Sequence, residues 1–338
     1  MLGISMYMRY IDLIEFLGEI LMSAKKIILD CDPGHDDAVA ILLALASPKE
    51  IELLGITCVA GNVPLDRTRI NALRVCELVE RTDISVYSGC ERPLVRFLVT
   101  AEQVHGQTGL DLPDGSTLPE PTTTLATGHA VDFIIETLMA HPAGSITLCP
   151  TGPLTNIALA MVREPAITTR IGEIVLMGGA AITPGNVTPS AEFNIYVDPH
   201  AADVVFSSGA PLVMMGLDVT HQVLVTQERK EAIQSLGNRA GATVADLLTF
   251  YCSHDLEKYA MEGGPLHDPC VVAWLIDDSL FDLKSVNVTV ETDSVLTLGE
   301  TVTDWWGVTD RPANCRVAHH AHHEHFFALL TERLARLP

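Results

Sequence analysis

The chain has 338 residues, of which 48% are apolar and 19% charged. That is enough apolar material for a substantial core and far from the composition of a disordered chain. With 21 basic against 43 acidic side chains the formal net charge is −22, which excludes a surface built for the nucleic-acid backbone or an anionic membrane.

Taken in chain order, the apolar residues between positions 11 and 22 are interrupted by Asp12, Glu15 and Glu19, with no basic leader and no small-residue cleavage site. This argues against a signal peptide. Residues 1–23 are expected to be an extension outside the core fold, and residues 24–338 a single domain. Short apolar runs at 27–29, 51–59, 85–87, 146–149, 174–177 and 212–215 predict strands. Between them, helix-spaced segments cover 37–46, 66–80, 128–140, 154–162 and 198–206. The last third is less regular, with helices at 228–236, 244–257 and from 268, then β-rich sequence at 285–302. Repeated strand-helix-strand units imply parallel pairing with right-handed crossovers. The expected fold class is therefore α/β: an open, mostly parallel central sheet flanked by helices, with a smaller helical and β C-terminal part. In such sheets ligands sit outside the carboxyl ends of the strands. No stretch reaches the roughly 18 apolar residues of a membrane span, and the eight cysteines form no C-x-x-C pair. They read as reduced, mostly buried thiols of a cytoplasmic protein.

The densest chemical signal is Asp30-Cys31-Asp32-Pro33-Gly34-His35-Asp36-Asp37. Asp30 and Asp32 are two apart at a strand end and project to one side, while Asp36 and Asp37 open the next helix. A helix cap and a dipole partner would account for the second pair, but not for the first. Like charges converging on one strand end raise each other's pKa unless a cation holds them, so the segment points to a metal site. All-oxygen ligation selects a hard ion, Ca²⁺ or Mg²⁺. Calcium suits a neutral, hydroxyl-rich substrate better, because the sequence offers little that would cradle the phosphates with which Mg²⁺ usually works.

The same segment resembles the N-terminal signature of the nucleoside hydrolases, which cleave the N-glycosidic bond of ribonucleosides to ribose and free base. Supporting stretches follow in matching order: Val59-Ala60-Gly61-Asn62, His105-Gly106-Gln107-Thr108-Gly109-Leu110, Thr151-Gly152-Pro153-Leu154-Thr155-Asn156, Leu176-Met177-Gly178-Gly179, Gly185-Asn186, Ala191-Glu192-Phe193-Asn194 and Gly263-Gly264-Pro265-Leu266-His267-Asp268. The resemblance implies one Ca²⁺ held by Asp32, Asp37, the carbonyl of Thr151 and Asp268. It makes Asp32 the general base and His267, a residue type whose unperturbed pKa of about 6.5 suits proton donation, the acid that activates the leaving base. Asp36, Asn62, Asn186, Glu192 and Asn194 become sugar contacts, Met177 packs beneath the ring, and His105 and Tyr259 border the base. Family members often form homotetramers, and the implied role is nucleoside salvage on pyrimidine or inosine-type substrates.

Bland readings stand beside these. Asp268 before Pro269 is an ordinary helix cap, Thr151 an ordinary turn residue, and Met177 ordinary core. Two rival functions are a Mg²⁺-dependent phosphohydrolase, which leaves Asn194 and His267 without roles, and a nucleoside-binding protein with decayed catalysis. The run His319-His320-Ala321-His322-His323-Glu324-His325 reads as a surface join before the terminal helix, although so many imidazoles could bind a transition metal. Trp305-Trp306 reads as core or interface material.

Overall fold

The computed structural model describes residues 24–259 and 262–338. The expected extension over 1–23 lies outside the described residues. The strands are β1 (Lys25–Cys31), β2 (Ile51–Cys58), β3 (Val86–Ser88), β4 (Ile146–Pro150), β5 (Glu173–Met177), β6 (Leu212–Met215), β7 (Leu224–Val225), β8 (Gly264–Pro265), β9 (Phe281–Val290), β10 (Thr301–Asp304) and β11 (Cys315–Ala321). Among the described residues one sheet has nine strands, in the order β10-β9-β11-β6-β5-β4-β1-β2-β3, and β7 pairs with β8 separately. From β3 across to β11 the pairing is parallel. Within that sheet, among the described residues, only β9 and β10 add antiparallel pairs.

Helices cover both faces, which is why β1 is a continuous apolar run rather than an alternating one. Ile27 and Leu29 enter the core on one face and Ile28 the core on the other. The helix His35–Leu45 is buried along its whole length, so its sequence carries no polar stripe. It starts two residues before its predicted position because Gly34, not an aspartate, is the N-cap.

The strand order reverses between β1 and β4. From β1 the chain builds outward to β3, then returns to the other side of β1 and builds outward to β6. Such a switch point leaves a crevice outside the carboxyl ends of the two central strands. Asp30 pairs in register with Pro150, so Asp32 and Thr151, which follow the strands, emerge side by side at that crevice.

The predicted strands through residue 215 are present, within a residue or two at most ends. Three described strands are missing from the sequence reading: the two-residue pair β7 and β8, and β11, which lies between β6 and β9. Arg316, His319 and His320 interrupt its apolar pattern, and its exposed positions fall between buried ones. The histidine run straddles the end of β11 and the start of the helix His323–Leu334. The tryptophan pair divides. Trp305 is half-buried with Lys284 Nζ 4.6 Å from its ring centre, whereas Trp306 is 84% exposed and so is not core.

Candidate active site

A cavity of about 240 Å³ opens at the switch point. On its acidic side, ligand oxygens of Asp36, Asp37 and Asp268 all lie within 4.8 Å of one another, and all three residues are buried. Asp36 and Asp37 occupy the first turn of the helix His35–Leu45. Asp268 occupies the N-cap position of the helix Pro269–Ile276, yet its side chain makes no capping hydrogen bond. It points to its fellow carboxylates instead, so the helix-cap reading of this residue does not describe what its side chain does.

Asp32 lies beside this group. Its Oδ2 accepts the backbone N–H of Asn62 at 2.7 Å, while its fully buried Oδ1 finds no donor among the described residues. Two glycines make room for that carboxylate. A Cβ on Gly61 would lie 2.1 Å from Asp32 Oδ2, and one on Gly152 2.3 Å from Oδ1. Asn62 ties the acids together, since its Nδ2 donates to the Asp32 carbonyl and to Asp37 Oδ2, each at 3.2 Å. The other Asp37 oxygen accepts from Thr151 Oγ1 at 2.8 Å.

Asp30 belongs to a lower layer. Its Oδ1 accepts from Thr57 Oγ1 at 2.6 Å and from Asn156 Nδ2 at 2.8 Å, which fastens β1 to β2 and to the helix Thr155–Arg163.

Electrostatics makes the acid group costly on its own. Burial first, then the charge of Asp37, pushes Asp36 up to about 7. Burial, with Asp37 and then Asp36 adding repulsion, raises Asp32 well above the ordinary carboxylate range. Asp268 is raised in the same way by burial and by Asp36, Asp37 and Asp32. Burial also raises Asp37, against the donors Gly34 N–H and Thr151 hydroxyl. These carboxylates can be ionised together only around a cation. An unpaired buried oxygen, an N-cap aspartate that does not cap and an oxygen-only donor set are what a hard divalent ion requires. Asp36, Asp37 and Asp268 lie close enough together to hold one, with Asp32 beside them.

A second part of the lining carries rings. His267 is held at Nδ1 by Thr220 Oγ1 at 2.8 Å, and its ring centre is 5.8 Å from that of His221. His105 accepts the backbone N–H of His35 at 3.3 Å and stacks on Tyr251 at 5.5 Å.

A family model described as inosine-uridine preferring nucleoside hydrolase matches residues 27–328. The chain belongs to that family. Pyrimidine-specific ribonucleoside hydrolase RihA of Photobacterium profundum is 47% identical over 313 residues, covering 92% of this chain and 99% of the relative. RihB of Escherichia coli, of the same description, is 48% identical over 312 residues, with 92% and 97% covered. The solved purine-preferring ribonucleoside hydrolase from Gardnerella vaginalis superposes with a TM-score of 0.85 at 36% identity, over 92% of this chain and 98% of that one. The protein is thus a nucleoside hydrolase, an enzyme of the expected α/β fold.

Within this nucleoside hydrolase, Asp36, Asn62, His105, Thr151, Met177, Asn186, Glu192, Asn194, His267 and Asp268 all line the one cavity, with Asp32 and Asp37 joined to it through Asn62 and Thr151. Several are committed to structure as well. Asn194 Nδ2 donates to the Thr151 carbonyl at 2.7 Å and the Met177 carbonyl at 3.2 Å, so this amide orients a carbonyl expected to bind the ion. Glu192 caps the helix Phe193–Val197 by accepting from Asn194 and Ile195 N–H, and also takes Gly179 N–H. Asn186 Oδ1 accepts from Phe193 N–H at 3.0 Å. The side chain of Tyr259 lies outside the described residues; among the described residues Tyr251, on the same helix Arg239–Tyr259, lines the cavity.

Burial, reinforced by His221, lowers His267 from its ordinary value to about 3, which favours the neutral ring. Thr220, His221 and Tyr251 were not legible as site residues. Thr220 and His221 follow β6, so the rule that ligands sit beyond strand carboxyl ends could have found them. Tyr251 is mid-helix and had no such signal.

Proposed function

We propose that this nucleoside hydrolase is a Ca²⁺-dependent enzyme that cleaves pyrimidine ribonucleosides ahead of inosine, in cytoplasmic nucleoside salvage. The observation that carries the metal dependence is the buried acid group at the switch point, with Asp32 Oδ1 left without a donor among the described residues. The pyrimidine preference draws on RihA and RihB, both described as pyrimidine-specific and more similar in sequence than the purine-preferring neighbour.

Asp32, Asp37, Asp268 and the Thr151 carbonyl would hold the ion, which when bound lowers the pKa of water and orients sugar hydroxyls. Asp32 takes the proton of the attacking water, and its position is fixed by Asn62 N–H and by the two glycines that let the backbone close on it. Asp36, open to the cavity, accepts from a ribose hydroxyl. Asn62 and Asn194 act mainly by holding the Asp32, Asp37 and Thr151 oxygens in place. Met177, only 3% exposed yet part of the lining, gives the ribose ring an apolar floor. As the glycosidic bond breaks, charge develops on the departing base. His267, neutral and braced by Thr220, donates an N–H hydrogen bond that stabilises the charge developing on that base, which takes its proton from water as it leaves.

The protein is further proposed to work as a homotetramer. Trp306, Val308 and Ile182 are 84%, 83% and 63% exposed beside the edge strand β10, an apolar surface of the kind that subunit contacts cover. Light scattering on the purified chain checks this, and a monomer at working concentration rules it out.

Base release from uridine, cytidine, inosine and adenosine, with added calcium and after chelation, tests the central reading. Turnover is expected to be highest on uridine and cytidine and to vanish on chelation. Release of no base from any of the four with calcium present rejects it.

A further inference from the structure

We propose that the turn joining β11 to the helix His323–Leu334 is a second metal site, selective for a first-row divalent transition ion of the Zn²⁺ class and held by Asp282, His320 and His322. Ligand atoms of these three residues lie within 4.8 Å of one another. The backbone produces this convergence. In the antiparallel pairing of β11 with β9, Ala318 faces Leu283, and regular pairing would set His319 opposite Asp282. The register instead shifts between Ala318 and His320, so that His320 faces Asp282. A bulge of this kind re-aims side chains. The ladder continues with His322 N–H donating to Leu280 O at 2.9 Å, so His320 and His322, two apart, share one face.

The segment is held in place. The Gln222 amide brackets it, donating to His319 O at 2.9 Å and accepting from Ala321 N–H at 3.1 Å. The ring centres of His320 and His322 are 5.0 Å apart, and that of His325 is 6.4 Å from His322, which offers a fourth ligand from the first helical turn. His323 is engaged elsewhere, with Arg229 2.8 Å from its Nδ1. These histidines surround a hollow of about 230 Å³ and none lines the catalytic cavity.

The donor chemistry separates the two sites. A tetrahedral zinc places its nitrogen and oxygen donors about 3.4 Å apart, inside the 4.8 Å that already encloses ligand atoms of the solvent-exposed His320, His322 and Asp282. Two imidazoles and one carboxylate form a borderline set that favours Zn²⁺, Ni²⁺ or Cu²⁺ over the hard ions suited to an oxygen-only group.

The test is calorimetric titration of Zn²⁺ into the full-length, calcium-saturated protein, repeated by visible absorption with Co²⁺. One Zn²⁺ per chain with micromolar affinity is expected, and Co²⁺ should give the intense bands of a tetrahedral site. The double variant His320→Ala/His322→Ala is expected to weaken binding at least about 100-fold and Asp282→Asn about tenfold. His323→Ala should bind like the parent, and uridine hydrolysis and melting temperature should be unchanged in all three. No binding up to about 1 mM Zn²⁺, or equal losses in Asp282→Asn and His323→Ala, would overturn the assignment by showing only the general affinity of a histidine-rich segment.

Discussion

The acidic and the ring-bearing parts of the cavity are built differently. Asp32 and Thr151 follow the two strands on either side of the topological reversal, and Asp36, Asp37 and Asp268 sit in first turns or caps of buried helices. Their positions follow from the sheet, and the backbone pins them through Asn62 and Gly34 N–H groups. His105, Tyr251, His221 and His267 come instead from a short helix, a long helix and two loops, and meet in ring pairs, His105 with Tyr251 and His221 with His267. The contrast teaches that the part fixed by the sheet is the part suited to chemistry every nucleoside shares, the ribosyl centre. The part carried by loops and helices is free to set which base fits.

The contrast breaks most sharply at Asp32. Asp32→Asn is expected to lower turnover on every nucleoside by about 10³-fold, with a circular dichroism spectrum like that of the parent, because the acidic part serves all substrates alike. Loss confined to one nucleoside would show that the division is wrong.

At the other part, His267→Ala is expected to cost about 10²-fold on uridine and much less on a riboside whose leaving group departs without protonation. Comparing kcat on the two substrates checks this. Equal losses on both would remove His267 from leaving-group activation and leave it as packing.

The smallest effect concerns Glu192, which lies between the two parts and caps a helix with a buried carboxylate. Burial raises it from 4.5 to about 7 in the folded protein, against its backbone donors. A group whose pKa rises on folding binds its proton more tightly in the native state, so its stabilising contribution is complete below 4.5 and is lost as pH rises through 7. Thermal melting of calcium-saturated parent and Glu192→Gln at steps from pH 4.5 to 7.5 is expected to show a shallower decline in the variant. Parallel curves would mean that Glu192 is ionised throughout.

The same division explains what could be read from the sequence. The strands announced themselves as apolar runs because both sheet faces are covered, and the acid cluster stood out because four carboxylates in eight residues conflict with each other electrostatically. Asp268 was harder, since a lone aspartate before proline is a common cap; the distinguishing fact, a side chain that does not cap, exists only in three dimensions. Tyr251 was out of reach, because a mid-helix tyrosine looks like core until the short helix bearing His105 folds against it. The lowered pKa of His267 was hidden for a related reason: its first cause is burial, and its second is His221, far away in the chain. β11 was hidden because a half-exposed strand carrying arginine and histidines lacks a run of apolar residues, even in the middle of a sheet.

Calcium titration of the chelator-treated protein and of Asp268→Asn tests the electrostatic core of this reading most directly. One ion per chain is expected in the parent, with affinity reduced at least about 100-fold in the variant, since removing one partner leaves the remaining buried carboxylates short of a ligand. A parent protein that takes up no divalent cation while still releasing base from uridine would contradict it.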